Sequence, residues 1–217
     1  MKPTTLTGME TLLNTPWLNV YRMDYQTGDE GNGTLKKGSW LMASRKKLPA
    51  LSKSFQNIQP DAVICMAFVA VEGQDELKLL VTKEWRHPIQ NFEYGFVAGL
   101  IDGDEGPVEA ARRELKEEAG LTLERVLQVS PPIVSSAGLS DESVQMVFCL
   151  ASGKLDVEGH EEEEIIEPML LDYEGVKRLC DRTDEFEGVV IAAKAWPMLY
   201  MIRQMGRIST SYMLPPT

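Results

Sequence analysis

Three glutamates at 114, 117 and 118 have the spacing and chemistry of a cation site. They lie in the stretch GLIDGDEGPVEAARRELKEEAGL, residues 99–121. On a helix, positions i, i+3 and i+4 share one face, so Glu114, Glu117 and Glu118 would stand together. They would also stand near the helix C-terminus, the end that disfavours anions. Like charges gathered there stabilise nothing by themselves. A hard divalent cation such as Mg²⁺, held by oxygen ligands beside phosphates, would reconcile them. Taken alone, the trio reads more readily as a solvated face with Arg113 and Lys116 as local partners. A second acidic run, Gly159-His160-Glu161-Glu162-Glu163-Glu164, precedes an apolar Ile-Ile pair. By itself it reads as a solvated loop, and His160 is a candidate base by chemistry.

The elements that must position these groups are legible from punctuation and period. Pro107 suits a first helical position and Gly120 a left-handed stop. Val108, Ala111, Leu115 and Ala119 recur at three and four, an apolar stripe that can lie on a sheet. The spacing therefore predicts a helix over 107–119. Residues 62–71 (AVICMAFVAV) form an unbroken apolar run, the pattern of a strand covered on both faces. Residues 77–82 read as its partner, followed by Glu84-Trp85-Arg86-His87-Pro88. Strands are expected over 126–129 and 133–135, divided by Pro131-Pro132, then over 143–152 and 168–171. A helix is expected over 173–181. Another is expected over 191–203, kinked by Pro197. Residues 1–58 read as a smaller β unit with strands at 17–23 and 38–43 around the turn QTGDEGNG. Such a unit must pack on something else. The expected division is 1–58, then a main domain over 59–207, then a loosely held tail over 208–217.

Gly99, Glu105, Arg113-Glu114-Leu115, Glu117-Glu118 and Gly120-Leu121 stand at intervals that fill all nine fixed positions of the Nudix box. With average residue usage, a chance match in a chain of this length is on the order of 10⁻⁷. The chain thus resembles the Nudix hydrolases, and within them the ADP-ribose and nucleoside diphosphate sugar pyrophosphatase branch. That resemblance implies an α/β fold: an α/β/α sandwich with a mixed sheet, here with the N-terminal antiparallel β unit added. It implies Mg²⁺ or Mn²⁺ and hydrolysis of a nucleoside diphosphate linked to another group. It implies metal ligation by Glu114, Glu117 and Glu118, by the carbonyl of Ala98 before the first box glycine, and by Glu164. It also implies a general base in the acidic loop, Glu162 or Glu164, with a register uncertain by one residue. Arg86, in the aromatic-Arg-x-Pro run of that branch, would bind substrate phosphates. Gly138 and Glu142 match a substrate loop, but Ala137 stands where the branch commonly carries a proline. In that branch an N-terminal sheet of this size forms a homodimer, which is the expected assembly. Arg45, Lys46 and Lys47 are either a solvated turn or phosphate contacts across that dimer.

A formal charge of −11 argues against nucleic acid or an anionic membrane as the main partner. A few arginines and a bound metal can still invert the sign within one cleft. Three cysteines, Cys65, Cys149 and Cys180, contain no Cys-x-x-Cys, which fits a reducing cytoplasm better than a disulfide framework. No signal-like or membrane-spanning apolar stretch is evident. The expected activity is pyrophosphate hydrolysis of ADP-ribose or a related nucleotide sugar. Three rivals remain. One is a UDP- or GDP-sugar pyrophosphatase, favoured by Ala137. The second is a Nudix-fold binding module without turnover, opposed by the intact box. The third is an acidic scaffold whose Glu clusters are solvated.

Overall fold

The computed structural model describes residues 4–28, 33–48, 58–71, 76–156 and 165–208. Its elements, in chain order, begin with β1 (Thr4–Asn14), β2 (Asn19–Thr27), β3 (Lys36–Ser44), β4 (Ala62–Val69) and β5 (Lys78–Arg86). There follow β6 (Asn91–Gly95), β7 (Val97–Leu100), α1 (Pro107–Ala119), β8 (Thr122–Val129) and β9 (Ile133–Val134). The chain continues with β10 (Ser143–Ser152), β11 (Ile166–Leu171), α2 (Tyr173–Asp181), β12 (Val190–Ile191) and α3 (Trp196–Met205). Contacts group Met1–Asp61 with Pro132–Val144 as one compact unit, and Ala62–Pro131 with Gln145–Thr217 as the other. Residues 132–144 thus belong with the N-terminal unit, not with the rest of the expected 59–207 domain.

In the larger unit β4 shows why the sequence run is apolar throughout. Val63, Cys65, Ala67 and Val69 share one core with Ala110, Ala111, Leu115 and Ala119 of α1. Met66 and Phe68 enter a second core with Val176 and Leu179 of α2 and Leu199 and Ile202 of α3. Successive strand residues point to opposite faces, so a sheet covered by helices on both sides needs apolar residues at every step. β10 repeats the device, with Val147 and Cys149 on one side and Phe148 and Leu150 on the other. The result is an α/β/α sandwich. The sheet is mixed: β12 runs parallel to β6, while β5 pairs antiparallel with β6 and β11. β4 gives its first half to β7 and its end to β5.

The expected helices at 107–119 and 173–181 are α1 and α2, and Asp172 caps α2 by accepting from the Gly175 N–H at 2.8 Å. The third expectation needs correction. No helix kinks at Pro197; α3 starts at Trp196, with Pro197 in its first turn. A proline there costs nothing because the first-turn N–H has no intrahelical partner. Ile208, expected in a loose tail, is buried in the α2–α3 core.

In the N-terminal unit β1, β2 and β3 form an antiparallel sheet in that order. Tyr21 and Met42, directly paired, are its buried centre, with Met9 and Met23 against them. Strand β1 was not expected: none of its residues is buried, so it carries no alternation to read. Among the described residues no helix is long and apolar enough to cross a membrane.

Candidate active site

α1 sets the site. Glu114 and Glu118 lie one turn apart on its inner side and are 8% and 9% exposed. Buried carboxylates near a helix C-terminus carry a large desolvation cost unless cations meet them. One cation is Arg113. Its guanidinium donates to Glu105 Oε1 (2.7 Å), to Glu114 Oε1 (2.7 Å), to Glu117 Oε2 (3.0 Å) and to the Leu100 carbonyl (2.9 Å). Glu105 also accepts from the Asp102 N–H at 2.9 Å. Arg113 therefore ties the loop before α1 to the helix, with Glu105 as its partner on the loop. The Arg113 hydrogen bond, and then the Asp102 N–H, hold the Glu105 carboxyl below the usual range. Glu105 in turn is the largest influence raising the pKa of Arg113.

Gly99 explains the approach of strand to helix. A Cβ there would overlap the Glu114 carboxylate. Only glycine leaves that carboxylate room against the backbone of β7. Ala98, the expected carbonyl ligand, immediately precedes it and pairs with Ile64 of β4. Beneath α1, burial first, then Cys149, Glu118 and Glu114, push the Cys65 thiol well above its ordinary value. Burial likewise raises Cys149 to about 12. Both are buried core thiols, held in the neutral form.

Two buried carboxylates beside a glycine cradle fit a hard divalent cation in donor chemistry. Glu117 is different: its side chain is 54% exposed and bonded to Arg113. Among the described residues no three Asp, Glu, His or Cys side chains stand close enough to hold an ion. Glu162 and Glu164, expected as base and further ligand, lie outside the described residues, as does His160.

Arg86 ends β5 within reach of two carboxylates, Glu84 at 2.5 Å and Glu93 at 3.4 Å. Sequence reading missed these partners. The signal was there: Glu84 and Arg86 are two apart on one strand face, and the hairpin sets Glu84 opposite Glu93. Gly138 and Glu142 belong to the N-terminal unit. The Gly138 carbonyl accepts from Trp40 Nε1 at 3.1 Å, and Glu142 faces Arg45 at 3.6 Å.

The fold and the box helix define a class that comparison makes definite. The NUDIX domain model matches residues 60–192, more than half of the chain, and the protein belongs to that family. A Caenorhabditis elegans protein named as a nudix hydrolase is 29% identical over 157 residues, 72% of this chain and 62% of its own. The ADP-ribose pyrophosphatase of Bacillus subtilis is 26% identical over 59% of this chain and 66% of its own. The Escherichia coli ADP compounds hydrolase NudE is 41% identical over 27% of this chain and 34% of its own. The chain thus spans less than two thirds of the length of these relatives. A crystal structure of an ADP compounds hydrolase shares the fold, with a TM-score of 0.60 at 20% identity over 93% of both chains.

Proposed function

We propose that the protein hydrolyses the pyrophosphate bond of ADP-ribose or a related nucleoside diphosphate sugar, dependent on a divalent cation, Mg²⁺ or Mn²⁺. The observation that carries this reading is the pair of buried carboxylates, Glu114 and Glu118, the first of them braced by Arg113 and cradled at Gly99. Glu114, Glu118 and the Ala98 carbonyl would hold the cation, with Glu117 and Glu164 joining them once Glu117 leaves Arg113. When bound, the cation lowers the pKa of water and neutralises pyrophosphate charge. Water attacks one phosphorus and the bridging P–O bond breaks, leaving a nucleoside monophosphate and a sugar phosphate. Glu162 or Glu164 takes the proton of the attacking water. Arg86, with its fixed charge and planar fork, binds the phosphates after exchanging Glu84 or Glu93 for them. Gly138 and Glu142 contact the sugar end.

The relatives' names support ADP-linked substrates. One observation favours a second reading, in which a UDP- or GDP-sugar is preferred: Ala137 stands in the loop where the ADP-ribose branch commonly has proline. A substrate panel decides between them. Protein with Mg²⁺ is offered ADP-ribose, ADP-glucose, UDP-glucose, GDP-mannose and NADH, and phosphate is released by a coupled phosphatase. We expect ADP-ribose to turn over fastest, with EDTA abolishing the signal. A UDP- or GDP-sugar turned over faster would transfer the assignment to the second reading. No turnover of any would favour a binding module. Three free, buried cysteines accord with a cytoplasmic setting.

A further inference from the structure

Lys46 does not behave as the solvated turn residue its neighbours suggest. Its backbone is held first. The Lys46 N–H donates to Ser44 Oγ at 3.0 Å, and its carbonyl accepts from the buried Tyr21 hydroxyl at 2.9 Å. Its ammonium then reaches between two carboxylates from distant parts of the chain, Asp61 and, at 3.3 Å, Asp141. All three side chains are largely removed from water. Asp61 completes the junction by accepting from the Ser143 N–H at 2.9 Å, while the Asp61 N–H donates to the Ser143 carbonyl at 2.7 Å. Segment 132–144 is therefore fastened to Lys46 and Asp61, which follow the N-terminal sheet in the chain, at its own Asp141 and Ser143. These lie on either side of Glu142 and a few residues after Gly138. The same segment supplies Val134, Ala137, Ser140 and Asp141 to a cavity of about 310 Å³ completed by residues of the N-terminal sheet, including Trp40 and Met42. Without the ammonium, Asp61 and Asp141 would be left as neighbouring like charges, and the hold on the segment at Asp141 would weaken.

We propose that Lys46 is a positioning residue, clamping Asp141 to Asp61 so that Gly138 and Glu142 are ordered before substrate arrives. The proposal rests on the reading that these two residues contact substrate. A segment that must be re-ordered by substrate weakens apparent affinity by the fraction of molecules already ordered and leaves saturated turnover intact. The test compares wild type with Lys46→Met, Lys46→Arg and Asp141→Asn, the last guarding against a Lys46→Met chain that fails to fold. Steady-state kinetics on ADP-ribose with Mg²⁺ are paired with hydrogen exchange of the 136–142 amides. Lys46→Met is expected to raise KM about tenfold with kcat within about twofold. Exchange in 136–142 should be at least about tenfold faster. Lys46→Arg should restore both, and Asp141→Asn should shift both in the same direction. Unchanged exchange in Lys46→Met and Asp141→Asn overturns the clamp. Faster exchange with KM unmoved overturns its role in binding, and a fall in kcat at constant KM marks Lys46 as structural only. If wild type hydrolyses no nucleotide sugar, the functional reading fails and with it the positioning role. The exchange result still decides whether the clamp exists.

Discussion

At the scale of single residues, the site depends on one close approach and one shared cation. Gly99→Ala would press a methyl into the Glu114 carboxylate. The expected cost is about 1–3 kcal/mol, as for other overpacked positions. It should appear as a lower urea midpoint together with at least about a tenfold fall in turnover, because the carboxylate that must move is a proposed ligand. A variant with unchanged midpoint and rate would show that the approach is slack. The thiols give an independent check. Burial is the first cause of the rise in Cys180 to about 11, and with Cys149 at about 12 and Cys65 also raised, native protein at pH 8 should resist thiol reagents until denatured. Rapid labelling of one equivalent would contradict the burial of β4 and β10 under α1 or of Cys180 in the second core. Much at this scale could be read from the chain, since box residues are recognised by type and interval. The Arg86 partners are signalled only by strand alternation and a hairpin, and the partners of Lys46 by nothing local, since Asp141 lies nearly a hundred positions away.

At the scale of elements, α1 was legible from 107 to 119 because its ends carry their own chemistry. Pro107 opens it, and Gly120 closes it with a positive φ of 70°. β1 and the start of α3 were not, since an unburied strand has no period and a proline can begin a helix as readily as bend one. What fixes α1 to the preceding loop is the Arg113–Glu105 bracket, and this makes a pH prediction. Hydrogen bonds from Arg113 and Asp102 hold Glu105 below the usual carboxylate range. A depressed folded value means that the bracket's contribution is complete above the unfolded pKa of about 4.3. It is lost as pH falls through the lower folded value. Wild type should therefore exceed Glu105→Gln in urea midpoint at pH 7, and the gap should shrink toward pH 3. A gap that stays constant or widens in acid would contradict the bracket.

At the scale of the whole molecule, the N-terminal unit leaves Leu12, Trp17, Trp40 and Leu41 exposed. Several large apolar side chains left exposed on one small unit suit an interface. We expect a homodimer by sedimentation at micromolar concentration, converted to monomer by Leu12→Glu with Leu41→Glu. A wild-type monomer would leave those faces to another purpose. The family and the α/β/α order were legible in the sequence. The grouping of 132–144 with the N-terminal unit was not, because it depends on contacts such as Ala43 N–H to Leu139 O at 2.9 Å, which no local pattern announces. The central claim is that the carboxylates of α1 support metal-dependent cleavage of a pyrophosphate bond. Its most direct test is ADP-ribose turnover by wild type and Glu118→Gln across a Mg²⁺ titration, with circular dichroism as the control for folding. Wild type should show saturable Mg²⁺ dependence, and kcat in the variant should be lowered about 10²-fold or more at saturating metal. Turnover that survives chelation, or a folded Glu118→Gln with near wild-type kcat, would contradict it.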